Sequence, residues 1–195
     1  MNHLAHLFLS QTNTNLMVGN FIADRVKGKE LLKYSEEIQK GIEMHRAIDA
    51  FTDTHAVVAK SKARLYPKHG KYAAVIVDIF YDHILAKSWK AYSPISLEQF
   101  ADSTYKRLES KKNEMPETSQ RILYYMEEGE WLTSYANISG IHRAFASLIA
   151  RTTFNSNMES AAEDLSQDYK LYEAEFQEFF PELIAHCTQW THVED

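Results

Sequence analysis

Helical periodicity runs through almost the whole chain, and residues that interrupt helices are scarce. Only 6 glycines and 4 prolines occur among the 195 residues. Because glycine and proline are the strongest local breakers of regular structure, their scarcity favours long helices over many short strands. We therefore predict an all-α fold. No linker, repeat or low-complexity segment divides the chain, so we expect a single-domain helical bundle over residues 1–195.

Capping residues and prolines predict where several helices begin and end. Ser35 is expected to open a helix, and Ser96 with Gln99 three residues later has the spacing of a capping box. Pro67 is expected to end the helix that begins near Thr54, because proline removes a backbone donor. A long helix is predicted from Met158 to about Phe180, with Pro181 kinking or restarting it.

Cysteine usage and hydropathy predict a cytoplasmic protein without membrane segments. Cys187 is the only cysteine, so no disulfide can form within the chain, and a reducing compartment is favoured. The first residues lack the basic start and apolar core of a signal peptide. No stretch approaches the ~18 uncharged apolar residues that a membrane-spanning helix needs.

Charge is distributed unevenly around a net value of −6. Residues 25–71 carry 11 Lys and Arg against 6 Asp and Glu, whereas residues 159–195 carry ten acids and one base. This asymmetry predicts a docking face for an acidic partner, although a merely solvated helix face has the same composition. Nucleic acid is not the expected partner, because the isoelectric point is about 5.8 and no RNA-binding signature occurs.

Histidine and aspartate occur at helical spacing in apolar surroundings. His45 and Asp49 are four residues apart, as are Asp78 and Asp82, so each pair lies on one helix face. Carboxylate oxygens and neutral imidazoles on rigid helices are suited to a divalent cation, which can activate water and hold phosphoryl oxygens. Core histidines and buried Asp–Arg pairs remain the alternative explanation. The usual nucleotide-binding loops and the GxSxG and HExxH motifs are absent.

Four sequence blocks, in order, resemble the acyl carrier protein phosphodiesterase family. They are Asn2-x-Leu4-Ala5-His6-Leu7, Gly19-Asn20-Phe21-Ile22-Ala23-Asp24, Gly41-Ile42-x-Met44-His45-Arg46-x-Ile48-Asp49-x-x-Thr52-Asp53 and Asp78-x-x-x-Asp82-His83-x-Leu85. The resemblance covers nearly the whole chain. It implies an HD-like helical fold and hydrolysis of the phosphodiester that joins 4′-phosphopantetheine to a serine of acyl carrier protein. It also implies a metal, with Mn²⁺ expected and Mg²⁺ as the alternative.

The resemblance assigns expected roles residue by residue. The expected metal ligands are His6, Asp24, His45, Asp49, Asp78 and Asp82. His83 is expected to act as the general acid for the departing serine oxygen, and Arg46 and Arg25 are expected to bind phosphate oxygens. The basic region is expected to steer the acidic carrier protein, with the acidic C-terminal portion facing away from it.

Two alternative functions remain open from the sequence. The first is an HD-like phosphohydrolase that acts on a nucleotide or another small phosphoester with the same metal residues. The second is a non-catalytic helical module whose basic region binds an acidic protein. Turnover of small nucleotides without a carrier protein would favour the first, and binding that is unchanged by Asp49→Ala or Asp78→Ala would favour the second.

Overall fold

The computed structural model describes residues 1–150, residue 152 and residues 156–191. Within these residues the chain forms α-helices and short 3-10 segments and no strand, so the all-α prediction is confirmed. The α-helices are α1 His3–Leu9, α2 Thr14–Ile22, α3 Glu36–Thr54, α4 Ala56–His69, α5 Ala73–Lys87, α6 Leu97–Ser110, α7 Glu117–Glu128, α8 Trp131–Ser134, α9 Ile138–Ile149 and α10 Ala161–Thr191. In this part of the chain, no helix combines the length and hydropathy that a membrane crossing requires.

Helix α5 lies at the centre of the fold. It contacts α1, α4, α9 and α10, and almost every side chain from Ile76 to Ala86 is buried. Because neighbouring helices cover it, its sequence is apolar around most of its circumference, and the exceptions are Asp78, Asp82 and His83. Phe80 and Tyr81 pack against aromatic residues of α10 in edge-to-face geometry.

Helices α2 and α3 cross at two glycines. A Cβ atom on Gly19 would lie 2.0 Å from the carbonyl oxygen of Ile38, and one on Gly41 would lie 2.2 Å from the carbonyl oxygen of Leu16. No side chain fits at either position, so glycine is required for this close approach. The crossing brings α2 next to the middle of α3.

The predicted helix starts are confirmed, and two predicted effects of proline are wrong. The side chains of Ser35 and Ser96 accept hydrogen bonds from the third residue of α3 and α6, and Gln99 completes a capping box. Helix α4 continues through Pro67 to His69, where Gly70 adopts a φ of +51°. Because Pro67 lies in the last turn, only one internal hydrogen bond is lost there. Helix α10 runs through Pro181, and its irregular backbone lies at Asp168 instead.

The acidic C-terminal helix does not face away from the basic region, so that prediction is wrong. Arg64 of α4 makes two hydrogen bonds to the Glu175 carboxylate of α10, at 2.7 and 3.1 Å. Lys68 of α4 likewise pairs with Asp164, at 2.7 Å. Opposite charges in the two segments are attracted to each other, so part of the basic region is neutralised within the fold.

Candidate metal centre

Two helices bring two histidines and an aspartate together. His6 lies in the middle of α1, and His45 and Asp49 are one turn apart on α3. The two imidazole rings stack with centroids 4.2 Å apart. Each Nε2 atom lies 3.2 Å from a different oxygen of Asp49. The predicted face of His45 and Asp49 is therefore completed by a residue from a separate helix.

Asn20 of α2 fixes the orientation of both rings. Its Nδ2 donates to the carbonyl oxygen of His6 at 2.8 Å and to Ser10 Oγ at 3.0 Å, so its Oδ1 faces the histidines. That oxygen lies 2.9 Å from His6 Nδ1 and 3.0 Å from His45 Nδ1. An amide oxygen only accepts, so both Nδ1 atoms are the donors. This leaves both Nε2 atoms directed at Asp49.

This geometry fits a bound cation. In neutral imidazoles protonated at Nδ1, each Nε2 is an acceptor, and here both acceptors face a carboxylate that can only accept. Added protons or a metal cation remove this conflict. One ligand atom from each of His6, His45 and Asp49 lies within 4.8 Å of the others. Two histidines and one carboxylate are a known ligand set for divalent transition metals. The donor chemistry therefore fits the metal that the sequence predicts.

The electrostatics of the cluster reflect the same arrangement. Burial alone would lower the pKa of His45, but hydrogen bonds to Asp24 and Asp49 outweigh it and raise the pKa to about 9. Burial lowers the pKa of His6. Burial would raise the pKa of Asp49, but the two imidazoles hold it well below its usual range. In the metal-free protein these shifts favour an ion pair between a protonated His45 and an anionic Asp49, and a bound metal would take the place of that proton.

The cluster opens into a cavity of about 430 Å³. Asp24 and Asp78 line this cavity together with the cluster, and Asp24 Oδ1 lies 3.4 Å from His45 Nε2. Asp78 accepts a hydrogen bond from the α-amino group of Met1 at 2.9 Å. The buried hydroxyl of Thr52, also in the cavity lining, has no hydrogen-bond partner among the described residues. The cavity thus presents several oxygen atoms next to the two imidazoles.

Comparison with known proteins places the chain among relatives of nearly equal length. A sequence family described as acyl carrier protein phosphodiesterase matches residues 1–183. The chain belongs to this family. It is 30% identical to the acyl carrier protein phosphodiesterase of Photorhabdus laumondii over 94% of this chain and 93% of the relative. Proteins of the same name from Pectobacterium atrosepticum and Serratia proteamaculans are each 28% identical over 94% of this chain and 96% of the relative. No solved structure matches the chain.

Asp82 occupies a different position from the other acids that the phosphodiesterase family resemblance indicates. It is fully buried and accepts backbone hydrogen bonds from Asn2, Leu4 and Ala5, the shortest at 2.8 Å from Leu4. Burial raises its pKa to about 7 despite these donors. The three N–H groups belong to the start of α1, so Asp82 fixes the helix that carries His6. It does not line the metal cavity.

The three predicted catalytic residues also lie outside the lining of the metal cavity. His83 Nδ1 lies 2.6 Å from the carbonyl oxygen of Tyr135. Arg46 donates to the carbonyl oxygen of Val26 at 3.1 Å. Arg25 lines a second, adjacent cavity. The roles of these residues in acid catalysis and phosphate binding stay predictions.

Asn20 is the residue of this cluster that sequence reasoning missed. It belongs to one of the blocks shared with the phosphodiesterase family, but it carries no charge and has no partner at helical spacing. One signal was available, because an amide within the largely apolar helix Thr14–Ile22 would be costly to bury without partners. Its three partners are two histidines and a serine from other parts of the chain, and only the fold brings them together.

Proposed function

We propose that this protein is a metal-dependent phosphodiesterase that hydrolyses the bond between 4′-phosphopantetheine and a serine of holo acyl carrier protein. The products are apo carrier protein and phosphopantetheine. The observation that carries this proposal is the convergence of His6, His45 and Asp49 on one cavity, in a chain of the phosphodiesterase family. We further propose that the reaction takes place in the cytoplasm, because a chain with one cysteine forms no internal disulfide, as is usual in a reducing compartment.

The metal would be held by His6, His45 and Asp49, with Asp24 and Asp78 as additional carboxylates in the same cavity. A bound divalent cation supplies Lewis-acid stabilisation of phosphoryl oxygens and lowers the pKa of coordinated water. Mixed imidazole and carboxylate ligands favour Mn²⁺ over Mg²⁺, which prefers oxygen ligands in octahedral geometry. We leave Asp82 out of this set, because its oxygens accept the N–H groups of α1.

The residues of the chain contribute orientation and charge. Asn20 holds both imidazoles with Nε2 towards the cavity, which keeps them ready to bind without reorganisation. Asp82 fixes the backbone of α1 and therefore the position of His6. Lys71 also lines the cavity, and its cationic side chain would attract a phosphodiester anion.

The acidic carrier protein would dock next to this cavity. The segment after Asp24 carries Arg25, Lys27 and Lys29, all exposed, and Arg46 is attached to it by its hydrogen bond to Val26. These bases lie close in the chain or through this hydrogen bond to Asp24, which lines the cavity. They form no ion pair within the described residues. A positive surface of this kind would accelerate encounter with an acidic partner, and the effect would weaken as salt rises.

The test is conversion of holo to apo carrier protein, followed by intact mass spectrometry. Purified protein carrying a C-terminal tag, which leaves the Met1 amine free, is incubated with holo acyl carrier protein and Mn²⁺ or Mg²⁺. We expect the carrier protein to lose the phosphopantetheine mass. Both a chelator and the variant His45→Ala should abolish this loss.

The matched control is His142→Ala, because His142 is exposed on α9 and lies outside the metal cavity. This variant should retain activity. If the carrier protein keeps its full mass with either metal, the proposed reaction is refuted. Turnover that persists in the presence of a chelator would instead refute the metal dependence.

A further inference from the structure

A second cavity of about 340 Å³ lies next to the metal cavity. Four residues line both cavities, namely Asn2, His3, Asp24 and Val75. From there the second cavity extends between α5 and the C-terminal elements α7, α8 and α9. The two cavities are therefore adjacent at these residues, so a ligand that reaches past them from the metal centre would enter the second cavity.

The lining of this cavity is chemically different from that of the metal cavity. One side is apolar, with Val75, Ile79 and Leu148 alongside the indole of Trp131. Arg25 and Arg143 line it as well, and neither pairs with a carboxylate among the described residues. Among the described residues that line this cavity, Asp24 is the only acid, so they do not form a second metal site. An apolar wall with a few hydrogen-bond donors is typical of a site for an uncharged organic chain that carries carbonyl groups.

We propose that this second cavity binds the pantetheine arm of the substrate. The inference rests on the proposed function. A phosphodiester held at the metal centre has two substituents, and the serine side belongs to a folded protein that is far larger than this cavity. The arm is therefore the only substituent that can enter. Its methylene and dimethyl groups match the apolar wall, and its two amide carbonyls and hydroxyl match the arginine donors.

The cavity would also determine which phosphodiesters are good substrates. Contacts to a part of the substrate that does not react improve positioning of the bond that does. A small phosphodiester without the arm would use the metal centre alone and lose these contacts. Trp131 and Arg143 are thus specificity-determining residues, distinct from the residues that hold the metal.

A pair of alanines on α9 makes a direct test possible. Ala144 lines the second cavity, whereas Ala146 on the same helix is exposed and does not. Ala144→Phe should fill the space, and Ala146→Phe is the matched control. Thermal melting of both variants checks that they remain folded.

The first readout is binding of pantetheine, which lacks the phosphate, to metal-free protein. Isothermal titration at millimolar ligand should show binding to the wild type and to Ala146→Phe, and about tenfold weaker binding or none to Ala144→Phe. Failure of the wild type to bind pantetheine, or equal binding by Ala144→Phe, would overturn the proposal. This readout needs neither metal nor turnover, so it stands even if the proposed reaction fails.

The second readout separates the cavity from the metal centre. With Mn²⁺, Ala144→Phe should raise KM for holo carrier protein while leaving hydrolysis of bis(4-nitrophenyl) phosphate unchanged. If the wild type hydrolyses neither substrate, the proposed function fails, and the pantetheine titration alone decides whether the cavity binds the arm. If Ala144→Phe lowers the hydrolysis of both substrates equally, the arm has no separate site and the proposal falls.

Discussion

Two regions of this molecule bring histidine and aspartate into contact, and they use these residues differently. At the interface of α4 and α10, His69 Nε2 lies 2.7 Å from Asp164. At the junction of α1, α2 and α3, His6 and His45 lie 3.2 Å from Asp49. The residue types are the same, so composition alone does not distinguish a structural contact from a candidate metal centre.

The difference lies in what else each carboxylate and imidazole contacts. Asp164 also accepts from Lys68, and the other ring nitrogen of His69 lies 3.2 Å from the carbonyl oxygen of Ser156. The Asp164 carboxylate is therefore paired with a lysine from within the fold, although both ring nitrogens of His69 face acceptor oxygens, as those of His6 and His45 do. Asp49 has no lysine or arginine partner among the described residues, and the two rings that face it have already used their Nδ1 atoms on Asn20. Without a lysine or arginine, the Asp49 carboxylate is balanced only by a proton on His45 or by a metal ion that replaces this proton.

The most direct test of the difference between the two regions is to neutralise the aspartate in each of them. Asp49→Asn should abolish metal binding and lower activity by about 10³-fold or more, because the metal supplies several kcal/mol of transition-state stabilisation. Asp164→Asn should lower the melting temperature but leave metal binding and activity near wild type. Titration with Mn²⁺, thermal melting and the carrier-protein assay measure the three quantities. Equal loss of metal binding in both variants would show that the two regions do not differ as described.

The glycine crossing provides a second test of the candidate metal centre, through its geometry. Gly41→Ala places a Cβ about 2 Å from the Leu16 carbonyl oxygen, so α2 and α3 must separate. Overpacking of this kind typically costs about 3 kcal/mol of unfolding free energy. Because Asn20 lies on α2 and His45 on α3, metal affinity should fall as well. Lys40→Ala, at an exposed neighbouring position, is the control for helix α3. Unchanged stability in Gly41→Ala would contradict the close approach.

The α4–α10 interface should respond only in stability. Arg64 binds Glu175 through two hydrogen bonds and lies over the ring of Tyr172, 4.7 Å from its centroid. Arg64→Ala leaves a mostly buried carboxylate without its partner, which should cost about 2 kcal/mol of unfolding free energy after allowance for partial exposure. Chemical denaturation measures this cost. A loss of activity larger than the loss of folded protein would refute a purely structural role for this interface.

Two pairs of residues with the same spacing show how far the sequence predicts the candidate site. The four-residue interval correctly indicated that His45 and Asp49 share a helix face. The same interval joins Asp78 and Asp82, yet Asp78 lines the cavity while Asp82 is buried under the start of α1. Spacing within a helix gives the relative direction of two side chains. It does not tell which other helix will pack on them, because that depends on contacts between distant residues, such as Leu4 and Asp82, which are 78 residues apart in the chain.

The partial neutralisation of the basic region also depends on contacts between distant parts of the chain, so the sequence did not predict it. Sequence counting correctly found a basic region and an acidic C-terminal portion, but the inference that they face apart treated each as a separate surface. In the fold α4 and α10 are adjacent, and Arg64 and Lys68 are used internally. The bases left for a partner include Arg25 and Lys27 next to Asp24, which remain exposed. Charge composition indicates attraction, and only the packing decides which partner the charge meets.

The mildest test concerns Asn20, which separates orientation from ligation. Asn20→Ala removes the shared acceptor of His6 and His45, and the loss of such a ligand-orienting contact typically lowers metal affinity by 10–100-fold, roughly 1.4–2.7 kcal/mol. Asn20→Asp keeps an acceptor for both rings but loses the donors to the His6 carbonyl and Ser10. It should therefore recover much of the affinity while remaining less stable than the wild type.

Asn113→Ala, at an exposed position, serves as control. If Asn20→Ala binds Mn²⁺ as tightly as wild type, the rings are held by something other than Asn20. If both variants lose metal affinity equally, the amide matters through the packing of α1 on α2, and the shared acceptor does not set the ring orientation.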